Sequence, residues 1–319
     1  MAKGRTRDEM PAGKKIRANG IDLHVIDAGT GIPVVLLHGF PDSSYLWRHQ
    51  LPALTAAGFR VIAPDLRGFG LSDRPDEVNA YQMPHLIADV RGIMDALDVK
   101  RAHVVGHDWG AALAWAFATF EPDRVDHLAV LSVGHPSSFR RLNLRQLQKS
   151  WYMLFFQFRG IAERTLQANN WGFFRRWLGG VPDLDWYIEQ LSRPGALTAA
   201  LNWYRANASP EALLSVPKLP PVEAATMGIW SSGDLALTEE QMTGSADYVR
   251  GPWRYERLEG IAHWIPTQAP DQLNALLLEF LAGAAASRSS ASAAPGGAHN
   301  PRQKRQSKPR AAKGSQREG

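Results

Sequence analysis

The sequence predicts an α/β fold, a mostly parallel, doubly wound sheet with helices on both faces and a block of helices inserted into it. Three observations predict it. Short apolar runs alternate with helix-length segments through about residue 133, stop, and resume at Ala225. The interval between, residues 135–216, lacks strand-like runs and gathers 14 of the 30 aromatic residues. Finally, Val104-Val105-Gly106-His107-Asp108-Trp109-Gly110 joins an apolar run to an Ala-rich stretch through two glycines that permit a sharp strand-to-helix turn.

Taken in order, Ile21 to Asp27 alternates apolar and polar residues, as an edge strand does, whereas Val34 to Leu37 and Val61 to Ala63 are continuous runs typical of buried parallel strands. Ala102 to Val105 and Leu128 to Val133 continue the sheet. Helices are expected at Ser44 to Ala57, Met83 to Leu97 and Ala111 to Phe120. Beyond the aromatic block, strands return at Ala225 to Trp230 and Trp253 to Leu258, and a last amphipathic helix runs from Asp271 to about Ala282. The expected organisation is therefore a sheet domain, 15–134 and 217–283, split by a helical cap at 135–216.

The net charge of +5 is unevenly placed. Residues 1–17 carry six Lys/Arg against two acids and residues 284–319 carry eight against one, so the body between them is acidic, at −6. The segments 1–14 and 284–319 are expected to be disordered basic tails, too poor in apolar groups to offset the entropy of ordering. Basicity confined to tails does not predict a nucleic-acid-binding surface. Cysteine is absent, which excludes disulfides, thiol catalysis and zinc-thiolate sites. No apolar stretch approaches the roughly 20 residues of a membrane span, and the start of the chain lacks a signal-peptide apolar region, so a cytoplasmic location with no membrane partner is expected. Neither a ligand cluster nor a phosphate loop appears; no metal or other cofactor is expected.

The Gly106 to Gly110 turn puts aspartate where an esterase of this pattern carries serine. A helix N-terminus favours an anion there, so Asp108 is expected to stay ionised and nucleophilic. A carboxylate attacking carbon forms an ester on the protein itself, which suits epoxides and alkyl halides better than carboxylic esters. The competing reading is an aspartate that merely caps its helix.

Five segments bear on that choice: His38-Gly39-Phe40-Pro41, Asp65-Leu66-Arg67-Gly68-Phe69-Gly70-Leu71-Ser72-Asp73, Gly106 to Gly110, Asn202-Trp203-Tyr204-Arg205 and Gly260-Ile261-Ala262-His263-Trp264. Across roughly Lys15 to Ala282 the chain resembles the α/β-hydrolase-fold epoxide hydrolases, with these motifs in the family's order. The resemblance implies Asp108 as nucleophile, His263 as the base that activates water, and Asp234, just past the penultimate strand, as the acid that orients His263. Some relatives carry this acid after the preceding strand, but Leu131 to His135 contains no carboxylate. Glu239 and Glu240 read as an exposed first turn of a helix. The backbone N–H groups of Phe40 and Trp109 are implied as an oxyanion hole, with a cis Phe40–Pro41 bond. Tyr152 and Tyr204 are implied as proton donors to the opening epoxide, while Tyr187 reads as packing. His38, Pro41, Trp109, Tyr152, Tyr204 and Trp264 are expected to contact substrate, a small-molecule epoxide that is turned over with water. A monomer or a homodimer fits equally.

Three rival readings are weighed by these residues. A haloalkane dehalogenase would use the same aspartate, but its halide needs N–H donors rather than a proton, commonly the tryptophan after the nucleophile with an asparagine in the His-Gly turn or a cap residue; Trp109 is compatible with that and Phe40 is not. A fluoroacetate dehalogenase would carry arginines after the aspartate, where this chain has Trp109, Gly110, Ala111 and Ala112. A catalytically silent binding protein of the same fold should have lost a member of the set, and none is missing.

Overall fold

A computed structural model describes residues 10–141, 144–210 and 219–292. Eight strands form one sheet in the order β1-β2-β4-β3-β5-β6-β7-β8. They are β1 (Lys14–Ala18), β2 (Ile21–Ala28), β3 (Pro33–Leu37), β4 (Arg60–Pro64), β5 (Ala102–His107), β6 (Val125–Leu131), β7 (Ala225–Gly233) and β8 (Trp253–Ala262). β1, β2 and β4 pair antiparallel, and every pairing from β4 through β3 to β8 is parallel. Every residue of β5 is buried, as expected of a central strand covered on both faces.

Helices α1 (Gln50–Ala56), α2 (Met83–Ala96) and α3 (Trp109–Phe120) alternate with the first strands. α3 buries nine of its twelve residues, Trp115 and Phe117 among them, which explains why its sequence is apolar all round rather than on one stripe. Between β6 and β7, every regular element among the described residues is helical: a 3-10 segment (Pro136–Arg141), α4 (Leu144–Lys149), α5 (Trp151–Phe156), α6 (Ile161–Trp177), α7 (Leu184–Leu191) and α8 (Ala196–Asn207). Expected cap residues 211–216 lie outside the described residues. The chain then adds α9 (Glu239–Thr243), α10 (Ile265–Gln268) and α11 (Pro270–Ser292) around β7 and β8. None of the helices described crosses a membrane by length and apolarity.

Four expectations are corrected. Ile21–Ala28 is not an edge strand, because β1 pairs outside it from Lys14 onward; β1 thus starts within the expected tail at 1–14. β1 escaped notice because its residues Lys14, Lys15 and Arg17 are exposed and only Ile16 and Ala18 are buried. The helix expected from Ser44 is a 3-10 turn over Ser44–Trp47 followed by α1, since Pro52 would clash with the Arg48 carbonyl in a continuous helix. At the other end α11 continues to Ser292, past Ala282 and into the expected C-terminal tail, through an Ala-rich stretch of high helix propensity. Residues 293–319, the rest of that tail, and residues 1–9 lie outside the described residues.

The inserted helices are tied to the sheet domain by specific bonds. The Trp203 indole N–H donates to the Arg67 carbonyl at 2.9 Å, and Arg67 itself forms a buried pair with Asp89 at 2.6 Å. Asp65, in the long motif before Ser72, is also structural. Its carboxylate accepts the backbone N–H groups of Ser44 and Leu71 and pairs with His24, and it remains ionised, at about 2, because these bonds outweigh burial.

Candidate active site

Sheet order brings the expected site residues together. Asp108 follows β5, the His38–Pro41 turn follows the neighbouring β3, Asp234 follows β7, and His263 follows β8, all at carboxyl ends of parallel strands. Asp108 has φ 53° and ψ −123°, outside the usual regions for an L-residue, which is the strain expected of the sharp turn. Its side chain makes no bond to cap α3. The carboxylate turns instead toward Phe40, whose backbone N–H donates to Oδ1 at 2.7 Å. This approach requires glycine at 39: a Cβ there would lie 2.3 Å from Asp108 Oδ1. Gly110 is equally constrained, as a Cβ would sit 2.0 Å from the Leu37 carbonyl oxygen.

Asp108 Oδ2 lies 3.6 Å from His263 Nε2, and His263 Nδ1 lies 2.8 Å from Asp234 Oδ2. Asp234 Oδ1 accepts the backbone N–H groups of Ala236 and Leu237. Burial opposes charge on both acids, yet His263 and backbone N–H donors hold Asp108 and Asp234 below the ordinary carboxylate range. Burial likewise opposes charge on His263, but the two carboxylates raise it to about 10.

A cavity of about 530 Å³ opens above Asp108 and is lined mostly by apolar side chains. Asp108, Trp109, Tyr152 and Tyr204 all face it. The two tyrosine rings lie 5.8 Å apart, edge to face, and Tyr204 also meets Trp109 edge-on at 5.1 Å. Burial, and then the charge of Asp108, push both phenols well above their ordinary range, so they hold their protons at neutral pH.

Three expected substrate contacts do not border this cavity. His38 is fully buried, its Nε2 accepting the Leu66 N–H and its Nδ1 donating to the Gly39 carbonyl, so both ring nitrogens are used in holding the turn. Pro41 is buried behind the cis Phe40–Pro41 bond. Trp264 is 2% exposed and packs on Asp42, which burial raises to about 7. Tyr187 turns its hydroxyl to the same Asp42, away from the cavity. Glu239 and Glu240 do open α9, with Glu239 bonded to Tyr255 at 2.9 Å.

Other site residues carried no sequence signal. His107, inside the elbow, donates from Nε2 to the His263 carbonyl at 2.9 Å, while burial lowers it to about 4 and keeps it neutral. The loop bearing Asp234 is gripped by α4: Gln146 bonds the Ala236 carbonyl and the Thr238 N–H, and Lys149 bonds the carbonyls of Asp234 and Leu237. Met83, Phe139, Asn207 and Leu219 also line the cavity. Only their spatial convergence marks them.

Comparison with known proteins bears on this constellation. Residues 32–203 match the family model described as the alpha/beta hydrolase fold. Epoxide hydrolase A of Mycobacterium tuberculosis is 34% identical, over 86% of this chain and 98% of its own. The chain belongs to the α/β-hydrolase-fold epoxide hydrolases. Within this family, epoxide hydrolase 3 of Xenopus tropicalis is 32% identical over 84% of the chain and 76% of its own. The crystal structure of epoxide hydrolase A from Mycobacterium thermoresistibile matches with a TM-score of 0.73 at 32% identity, covering 86% of this chain and 98% of that one. A mutant epoxide hydrolase from Bacillus megaterium, complexed with its product (R)-3-[1]naphthyloxy-propane-1,2-diol, matches at 0.77 and 28% identity, over 84% and 99%.

Proposed function

We propose that this epoxide hydrolase converts small apolar epoxides to vicinal diols through an ester on Asp108, beneath a cap formed by the helices between β6 and β7. One observation carries the reading: an uncapped, ionised carboxylate and two protonated phenols face the same apolar cavity. Asp108 Oδ2 attacks a ring carbon and the carbon–oxygen bond breaks. The departing alkoxide takes a proton from Tyr152 or Tyr204, since an alkoxide is otherwise too poor a leaving group in an apolar site.

Esterification removes the negative charge of Asp108, which is part of what raises His263. The imidazole then gives its proton to the tyrosinate, which restores the tyrosine, and becomes the base for the second step. Its Nε2 accepts a proton from water, and the hydroxide attacks the Asp108 ester carbonyl. Oδ1, already bonded to the Phe40 N–H, takes up negative charge, and such a donor contributes on the order of 3 kcal/mol. Collapse expels the second alkoxide, which takes the proton of the newly added hydroxyl to leave as the diol, so Asp108 is again a carboxylate and His263 keeps the proton it took from water.

The decisive assay measures diol release from styrene oxide alongside halide release from 1-bromobutane. Diol without halide is expected, and Asp108→Ala should abolish it. Halide release would assign the site to dehalogenation; neither product would mark a silent binding protein. The tyrosines favour the epoxide, because a halide ion has no use for a proton donor. Tyr152→Phe/Tyr204→Phe together should lower kcat by at least about 10²-fold, the scale of general-acid catalysis.

A further inference from the structure

α5, whose Tyr152 and Met153 line the cavity, shares a second face with its neighbours α4 and α6. Leu147, Trp151, Leu154, Phe158 and Ile161 recur every three or four residues along α4, α5 and the start of α6, and each is between 42% and 58% exposed. The Trp151 ring touches Phe155, Phe173 and Trp177 at centroid distances of 5.9–6.1 Å, so the exposed apolar side chains are contiguous with partly buried aromatic ones. A soluble protein rarely leaves such a cluster open without a partner.

The charges along this stretch are all of one sign at the surface. Arg145, Arg159 and Arg164 are exposed, and no carboxylate pairs with them among the described residues. The one acid in the segment, Glu163, pairs inward with Arg205 at 2.8 Å, and the nearby Asp185 is taken by Arg175. This basic, aromatic face belongs to a body that is otherwise acidic. Apolar and aromatic side chains flanked by arginines are the composition of a segment lying in a lipid headgroup region.

We propose that the α4–α6 face binds the surface of an anionic lipid bilayer, with Leu154 and Phe158 among the residues that enter the interface and the three arginines pairing with lipid phosphates. α5 then serves both sides, since Tyr152 and Met153 line the cavity while Trp151 and Leu154 face outward. If the epoxide reading holds, the site receives apolar epoxides dissolved in the membrane. Lipid binding itself does not require Asp108.

The test is co-sedimentation of the full chain with vesicles of phosphatidylcholine containing about one-third phosphatidylglycerol, against phosphatidylcholine alone. Binding to the mixed vesicles only is expected, weakened roughly tenfold or more in Arg145→Glu/Arg159→Glu/Arg164→Glu and also weakened in Leu154→Ser/Phe158→Ser. Both variants should hydrolyse soluble styrene oxide as the parent does, which shows that they fold, and Asp108→Ala should bind vesicles normally. Protein left in the supernatant overturns the proposal. So does sedimentation unchanged by both surface variants, which would place attachment elsewhere on the chain. A dimer in ultracentrifugation that Leu154→Ser/Phe158→Ser dissociates would show instead that the face joins two copies of the protein.

Discussion

At the scale of single residues, the site turns on what the Asp108 carboxylate does not do. An aspartate at the start of a helix ordinarily bonds the free N–H groups of the first turn. Here it is uncapped and directed at Phe40 and His263, so it stays available to attack carbon. His263→Gln should therefore still form the ester and accumulate it, visible as a mass increase of the intact protein equal to the epoxide; rapid multiple turnover by this variant would contradict the proposed role. The same residues set a pH dependence of stability. His263 is raised above its ordinary 6.5, so the stability it contributes is complete below that value and is lost as pH rises through about 10. Asp108 and Asp234 are lowered, so theirs is present above the ordinary carboxylate range and lost on acidification. Thermal melting against pH should show both flanks, and His263→Gln should remove the alkaline one. Asp108 was legible from the chemistry of its turn, and His263 and Asp234 through the family resemblance and the chain order that goes with it. His38 misled for a physical reason: a histidine beside a site-forming turn looks the same in sequence whether its ring meets substrate or, as here, the backbone.

At the scale of elements, strands with continuous apolar runs were legible and those without were not. β3 and β5 announce themselves, whereas β1 has only two buried residues and offers no run. Likewise the inserted segment could be read as helical from its lost strand pattern, but the packing of α4 on the Asp234 loop depends on side chains far apart in sequence. Gln146 and Lys149 act through that loop and touch no substrate, as neither borders the cavity. Gln146→Ala/Lys149→Ala should lower kcat by between about tenfold and 10²-fold, the usual effect of misplacing a reacting group by an ångström, and leave KM for styrene oxide nearly unchanged. An equal rise in KM would mean that the pair shapes the cavity instead.

For the whole molecule, the junction between sheet and insertion rests on buried polar groups as well as apolar contacts. Asp89 and Arg67 are each about 4% exposed in their side chains, and Arg67 presents its carbonyl to Trp203. Removing one partner leaves an unpaired buried charge, so Asp89→Ala should cost about 3–5 kcal/mol in urea denaturation. A loss below about 1 kcal/mol would show that water reaches the pair. This pairing lay beyond sequence reading, since nothing in Arg67 or Asp89 alone tells which carboxylate the guanidinium meets.

The grip of α4 on the Asp234 loop also bears on how such enzymes diversify. The inserted helices supply Tyr152, Met153, Tyr204 and Asn207 to the pocket, which makes them a natural segment to exchange between homologues. Yet here the inserted helices also hold the Asp234 loop, through Gln146 and Lys149 of α4. A chimaera grafted with foreign inserted helices would inherit a new pocket and a loosened acid together, unless those two side chains travelled with them.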